Sequence, residues 1–71
     1  MTNWLRNEDG PYYDDELYSY QIYTTNGDIF LWIKNKKTRK ELTNRIMNRD
    51  PIFIEQEADC IINRLKENNK I

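Results

Sequence analysis

Hydrophobic and aromatic residues dominate two short runs on either side of Asn26-Gly27, and both runs favour β-strands. Asn and Gly tolerate the positive φ angles that a two-residue hairpin turn requires. The turn therefore sets the register of the two strands, with Thr25 opposite Asp28. The sequence predicts an antiparallel hairpin over residues 17–34.

This register gives the hairpin two faces, because residues that oppose each other in an antiparallel pair lie on the same side. The first face is aliphatic with tyrosine, and we predict that it forms the core. Its pairs are Tyr20 with Ile33, Ile22 with Leu31 and Thr24 with Ile29. The second face is aromatic and mixed, and it pairs Tyr23 with Phe30 and Gln21 with Trp32. We expect the N-terminal arm to cover this second face, since large aromatics are usually buried; the alternative is a face left open for a partner.

Residues 1–15 contain Gly10-Pro11 and show no consistent hydrophobic period, so we interpret them as an arm or loop. After the hairpin, Thr38 and Glu41 have the spacing of a helix capping box. This spacing predicts a helix over residues 38–47.

Leu42 and Ile46 are four residues apart and would pack that helix on the sheet. Asp50-Pro51 ends it, because the residue before proline disfavours the α conformation.

The C-terminal third allows three interpretations. We favour a short strand at residues 52–54 followed by a helix over residues 55–68, because apolar residues then recur at helical spacing. These residues are Ala58, Ile61, Ile62 and Leu65. In the second interpretation Asp50 caps one long helix that has Pro51 at its first position. In the third, residues 60–62 form a further strand.

Together these elements predict an α+β fold, in which a small antiparallel sheet built on the hairpin carries one or two helices on one face. The chain of 71 residues is long enough for one small domain. We divide it into an arm at residues 1–15 and a hairpin-helix-strand-helix core at residues 16–71.

Catalysis is the function class with the least support. The chain has no histidine and one cysteine, Cys60, so it lacks the commonest general base and any internal disulfide. We expect Cys60 to be a small buried residue. The sequence shows no metal-ligand spacing and no phosphate-binding glycine loop. We therefore predict a non-enzymatic protein without cofactor or metal.

The sequence has no run of about 20 apolar residues and no signal-peptide pattern. We expect a cytoplasmic protein that does not contact membranes.

The overall charge of −1 conceals an uneven distribution. Residues 1–28 carry a net charge of −5, whereas residues 34–49 carry +6. Such separation would steer a charged partner, or the two segments would attract each other.

Binding of another protein is the function class that we favour. Tyrosine and tryptophan are frequent here and are common in interface hot spots. Two candidate surfaces follow. One is the acidic arm Tyr12, Tyr13, Asp14, Asp15 and Glu16; the other is the aromatic face Tyr23, Phe30 and Trp32.

Nucleic-acid binding is the first alternative. Basic residues follow the hairpin, and the aromatic face would stack on unpaired bases. The basic residues are Lys36, Lys37, Arg39 and Lys40. A self-associating structural subunit, which would bury the aromatic face in a homo-oligomer, is the second alternative.

The small size and the richness in Asn, Lys and Ile resemble the composition of small accessory proteins of bacteriophages and mobile elements from AT-rich bacteria. This compositional resemblance implies a viral or mobile-element protein that inhibits or regulates a host or defence protein by occupying its surface.

Overall fold

In the computed structural model, which describes residues 3–71, each strand pairs with the strand that follows it in the chain. The result is a five-stranded antiparallel sheet with one helix against it, which confirms the predicted α+β fold. The strands are β1 Leu5–Asn7, β2 Gly10–Asp14, β3 Tyr18–Thr25, β4 Asp28–Asn35 and β5 Glu41–Ile46. The helix is α1 Pro51–Glu67.

The hairpin of β3 and β4 has the predicted register, with Thr25 opposite Asp28. Asn26 and Gly27 adopt φ angles of 52° and 80°, as a two-residue turn requires. The face predicted to be the core is buried against α1. Its contributors are Tyr20, Ile22, Leu31 and Ile33 from the hairpin, Ile46 from β5, and Ala58 and Ile62 from the helix.

The helix predicted over residues 38–47 is wrong, and so is its capping box. The Oδ1 atom of Asn35 instead accepts hydrogen bonds from the amides of Lys37 and Thr38, at 2.9 Å each. Arg39 then takes a positive φ of 67°, and the chain returns as β5 beside β4. The Leu42–Ile46 spacing misled the prediction, because residues four apart share a face in a strand as well as in a helix.

The N-terminal arm is not a loop, since β1 and β2 extend the sheet beyond β3. Gly10 permits this close pairing. A Cβ atom at Gly10 would lie 2.8 Å from the carbonyl oxygen of Ile22, and its φ of +135° disfavours other residues. The side chain of Trp4 ties the arm to α1 by donating to Asp59 over 3.1 Å.

Of the three interpretations of the C-terminal third, the single long helix is correct. Asp50 has an extended backbone and caps α1 through Oδ1, which accepts from the amide of Ile52 at 3.0 Å. Pro51 occupies the first turn, where its missing amide proton costs nothing. The strands proposed at residues 52–54 and 60–62 are therefore wrong, and the helical stripe from Ala58 to Leu65 is confirmed.

Within residues 3–71 no helix combines the length and the apolar character that crossing a membrane requires.

Candidate functional site

The side of the sheet opposite α1 is the candidate site, and we call it the open face. A row of paired residues crosses all five strands on this side: Leu5, Tyr12, Gln21, Trp32 and Thr43. A second row, nearer the Asn26-Gly27 turn, consists of Tyr23, Phe30 and Arg45. No helix or strand of residues 3–71 packs over these rows. The expectation that the arm covers this face is wrong, because the arm lengthens the sheet instead.

Aromatic side chains of the open face are ordered by contacts with their neighbours. The rings of Tyr23 and Phe30 stack with their centroids 5.6 Å apart and their planes at 27°. Trp32 donates its indole N–H to Oε1 of Glu41 over 2.6 Å, which fixes the orientation of the ring. All three side chains remain partly exposed. The predicted aromatic surface thus exists as one partly solvent-facing group of rings.

Gln21 links the centre of the open face to the arm. Its amide nitrogen donates to the carbonyl oxygens of Pro11 and Ile22, at 3.2 and 2.9 Å. Its Oε1 atom accepts from Nδ2 of Asn7 at 2.8 Å. The β1–β2 turn is therefore held against β3 by side chains as well as by backbone pairing.

This turn carries two carboxylates at the groove that Tyr23 and Trp32 also line. Oδ1 of Asn7 accepts from the amides of Asp9 and Gly10, at 3.0 and 3.1 Å, and thereby closes the turn. Exposed Glu8 and Asp9 then border an open groove of about 670 Å³. The residues that line it are Glu8, Asp9, Gln21, Tyr23, Thr24 and Trp32.

The predicted acidic arm does not form one surface. Tyr12 lies on the open face opposite Gln21, whereas Tyr13 lies on the helix side and stacks on Tyr20 with centroids 5.7 Å apart. Asp14 and Glu16 are exposed near the β2–β3 turn. The structure brings Tyr12 together with the aromatic face and separates it from Tyr13.

Asp15 has structural contacts within the turn. Its Oδ1 atom accepts from the amides of Leu17 and Tyr18 at 2.9 and 2.7 Å, and its Oδ2 atom accepts from the Tyr20 hydroxyl at 2.8 Å. Burial alone would raise the pKa of Asp15, but these hydrogen bonds and the charge of Lys66 outweigh it and lower the pKa below its ordinary value. Burial and the bond to Asp15 raise the pKa of Tyr20. Asp15 therefore remains an anion that stabilises the fold.

The candidate nucleic-acid residues Lys36, Lys37, Arg39 and Lys40 lie in the β4–β5 turn. Lys36 donates to the backbone carbonyl of Asp15 over 2.7 Å and lies 4.0 Å from Asp14. The other three are exposed and form no ion pair within the described part of the chain.

Part of the charge separation along the sequence is neutralised locally. Asp28 pairs with Arg45 at 2.9 Å and with Arg49 at 3.4 Å. The basic segment is therefore less available to a partner than its net charge suggests.

Sequence reasoning missed that Glu8 and Asp9 line the same groove as Trp32. An Asn followed three residues later by Gly is a turn signal that predicts a hairpin at residues 7–10. This turn signal predicts a hairpin only if the residues on both sides of it form strands, and the arm has no strong strand pattern.

Cys60 is the one cysteine of the chain. Cys60 lies exposed on α1, so the expectation that it is buried is wrong. Nowhere in residues 3–71 do three or more potential metal-ligating side chains come together. The partly exposed rings of the open face are suited to contact and stacking.

Comparisons with known proteins found no matching family model, no significantly similar curated protein and no significantly similar solved structure.

Proposed function

We propose that this protein is a non-enzymatic protein-binding module that acts through its open face. Its role is to inhibit or regulate another protein by occupying that protein's surface, as the composition shared with phage and mobile-element accessory proteins implies. One observation carries the proposal: Tyr12, Tyr23, Phe30 and Trp32 lie together on a sheet face that no element of residues 3–71 covers.

Physical arguments favour a protein as the partner. Tyrosine and tryptophan provide large contact area with few rotatable bonds, so little entropy is lost when they are buried. The rings here are already oriented by stacking and by the Trp32–Glu41 hydrogen bond. A rigid surface of this kind binds without the ordering cost of a loop.

Nucleic-acid binding is the second candidate, because exposed Lys37, Arg39 and Lys40 follow the strand that carries Trp32. It ranks below protein binding because Glu8 and Asp9 line the same groove as Trp32 and would repel phosphates there. Self-association that buries the aromatic face is the third candidate, and it predicts a mass that depends on concentration.

Affinity capture from a lysate of the source cells, with and without nuclease, tests the proposal. The bait is compared with a Phe30→Thr/Trp32→Thr variant, since threonine suits an exposed strand. The control is Ile52→Ser, which removes an apolar side chain that is 71% exposed on α1. We expect one stoichiometric protein that survives nuclease, is retained by the control and is lost with the double variant. Retention that disappears with nuclease, or that is unaffected by the double variant, would contradict the proposal.

A further inference from the structure

We propose that the groove between the β1–β2 turn and Trp32 receives an arginine side chain from an extended basic segment of the partner protein. This inference rests on the proposed function and specifies the chemistry of the partner.

Charge is the first argument. Glu8 and Asp9 border the groove, and neither forms an ion pair within residues 3–71. The basic residue nearest to them in sequence, Arg6, is bound to Glu55 on the helix side at 2.8 Å. No cationic side chain of residues 3–71 forms an ion pair with these two carboxylates, so a cation from a partner would be their complement.

The aromatic walls are the second argument. Tyr23 and Trp32 occupy diagonal positions on neighbouring strands, so their rings lie within reach of one bound group. A cation over the face of tyrosine or tryptophan is attracted by the ring quadrupole. The planar guanidinium of arginine stacks on such rings and also donates in pairs to carboxylates, whereas the ammonium of lysine is a strongly hydrated point charge. Arginine can therefore both stack on the rings and pair with the carboxylates that line the groove.

The groove is also formed before any ligand binds. Asn7 closes the turn that carries the carboxylates, Gln21 joins it to β3, and Glu41 holds the Trp32 ring. Little reorganisation is needed for a side chain to enter from the open face.

A capped synthetic peptide of alternating glycine and arginine provides the direct test, with a citrulline peptide of the same length as its neutral isostere. Both are titrated into the isotopically labelled protein while amide and indole resonances are recorded. We expect the arginine peptide to shift the Trp32 indole and the Glu8–Gly10 amides, and we expect added salt to weaken this effect. A Glu8→Gln/Asp9→Asn variant should bind about tenfold more weakly, because it removes both exposed negative charges that would attract the guanidinium.

The matched control is Asp50→Asn/Glu67→Gln, which removes two negative charges, one from the N-cap and one from the last residue of α1, and should bind as the native protein does. Equal binding of the citrulline peptide, or undiminished binding by the Glu8→Gln/Asp9→Asn variant, would overturn the inference. So would a concentration-dependent dimer that the same variant abolishes, because the occupant would then be a second copy of this chain.

The effect of the two double variants on retention of the captured partner distinguishes the arginine groove from the proposed function. If Phe30→Thr/Trp32→Thr releases it but Glu8→Gln/Asp9→Asn does not, the arginine groove is wrong and the proposed function stands. If neither variant releases it, both are wrong.

Discussion

Single polar side chains determine three of the turns. Asn7, Asp15 and Asn35 each accept hydrogen bonds from the backbone amides two and three residues further along the chain. This is the side-chain turn for which Asn and Asp are favoured. These residues are thus engaged in structure, and the binding role predicted for Asp15 stays a prediction.

Stability should depend on the charge of Asp15. Because its pKa is lower in the folded protein than its unfolded value of about 3.9, the anion stabilises the fold above that value. The stabilisation is lost as the pH falls through the lower, folded-state pKa. At neutral pH, Asp15→Asn should reduce the free energy of unfolding by about 1–2 kcal/mol, a range that allows for partial exposure.

Urea unfolding at several pH values measures this effect, and the difference between native and variant protein should shrink in acid. Glu16→Gln, an exposed neighbour, should change stability by less than about 0.5 kcal/mol. A difference for Asp15→Asn that stays constant down to strong acid would show that its charge is not involved.

Gly10 should tolerate substitution less well than Gly27, although both have positive φ angles. A Cβ atom at Gly27 would meet no atom within 4 Å beyond its chain neighbours, so Gly27→Ala should cost only the backbone strain of about 1 kcal/mol. Gly10→Ala adds a 2.8 Å contact with a strand carbonyl, and we expect about 2–4 kcal/mol. Thermal unfolding of both variants measures the two losses in stability. Equal losses would contradict the close packing of β2 on β3.

At the scale of elements, the sequence predicted the hairpin that a local turn determines. It did not predict the strands that form only by pairing with a neighbouring strand. The Asn26-Gly27 turn specified its hairpin because a two-residue turn also fixes which residues of the two strands pair. Residues 41–46 form a strand because they pair with the edge of β4. The spacing of apolar residues does not show that this edge is available. The arm was missed for the same reason, since Gly10-Pro11 weakens the strand pattern while the contact with β3 requires that glycine.

The start of α1 rests on Asp50, whose side chain accepts from the Ile52 amide. Asp50→Ala should lower the free energy of unfolding by about 1 kcal/mol, whereas Asp50→Asn retains an acceptor and should be nearly neutral. Denaturant unfolding of the two variants tests the cap. Equal effects of alanine and asparagine would mean that the side-chain hydrogen bond does not support the helix.

At the scale of the whole molecule, the 17-residue helix α1 covers one side of the five-stranded sheet, and no other element of residues 3–71 packs on the opposite side. The shared face of Tyr23, Phe30 and Trp32 could be predicted from the hairpin register, but its exposure and the addition of Tyr12 could not. The acidic part could not, because Glu8 and Asp9 line the same groove as Trp32 only through the pairing of β1, β2 and β3. The site is therefore a product of the sheet as a whole.

The most direct test of binding through the open face is the affinity of the captured partner for Trp32→Thr measured beside Ile52→Ser. A hot-spot tryptophan contributes roughly 2 kcal/mol or more, so we predict that Trp32→Thr weakens binding by about 30-fold or more. The Ile52→Ser control should bind as the native protein does, and both variants should give native circular dichroism. A folded Trp32→Thr variant that binds with native affinity would contradict the assignment of the open face as the binding surface.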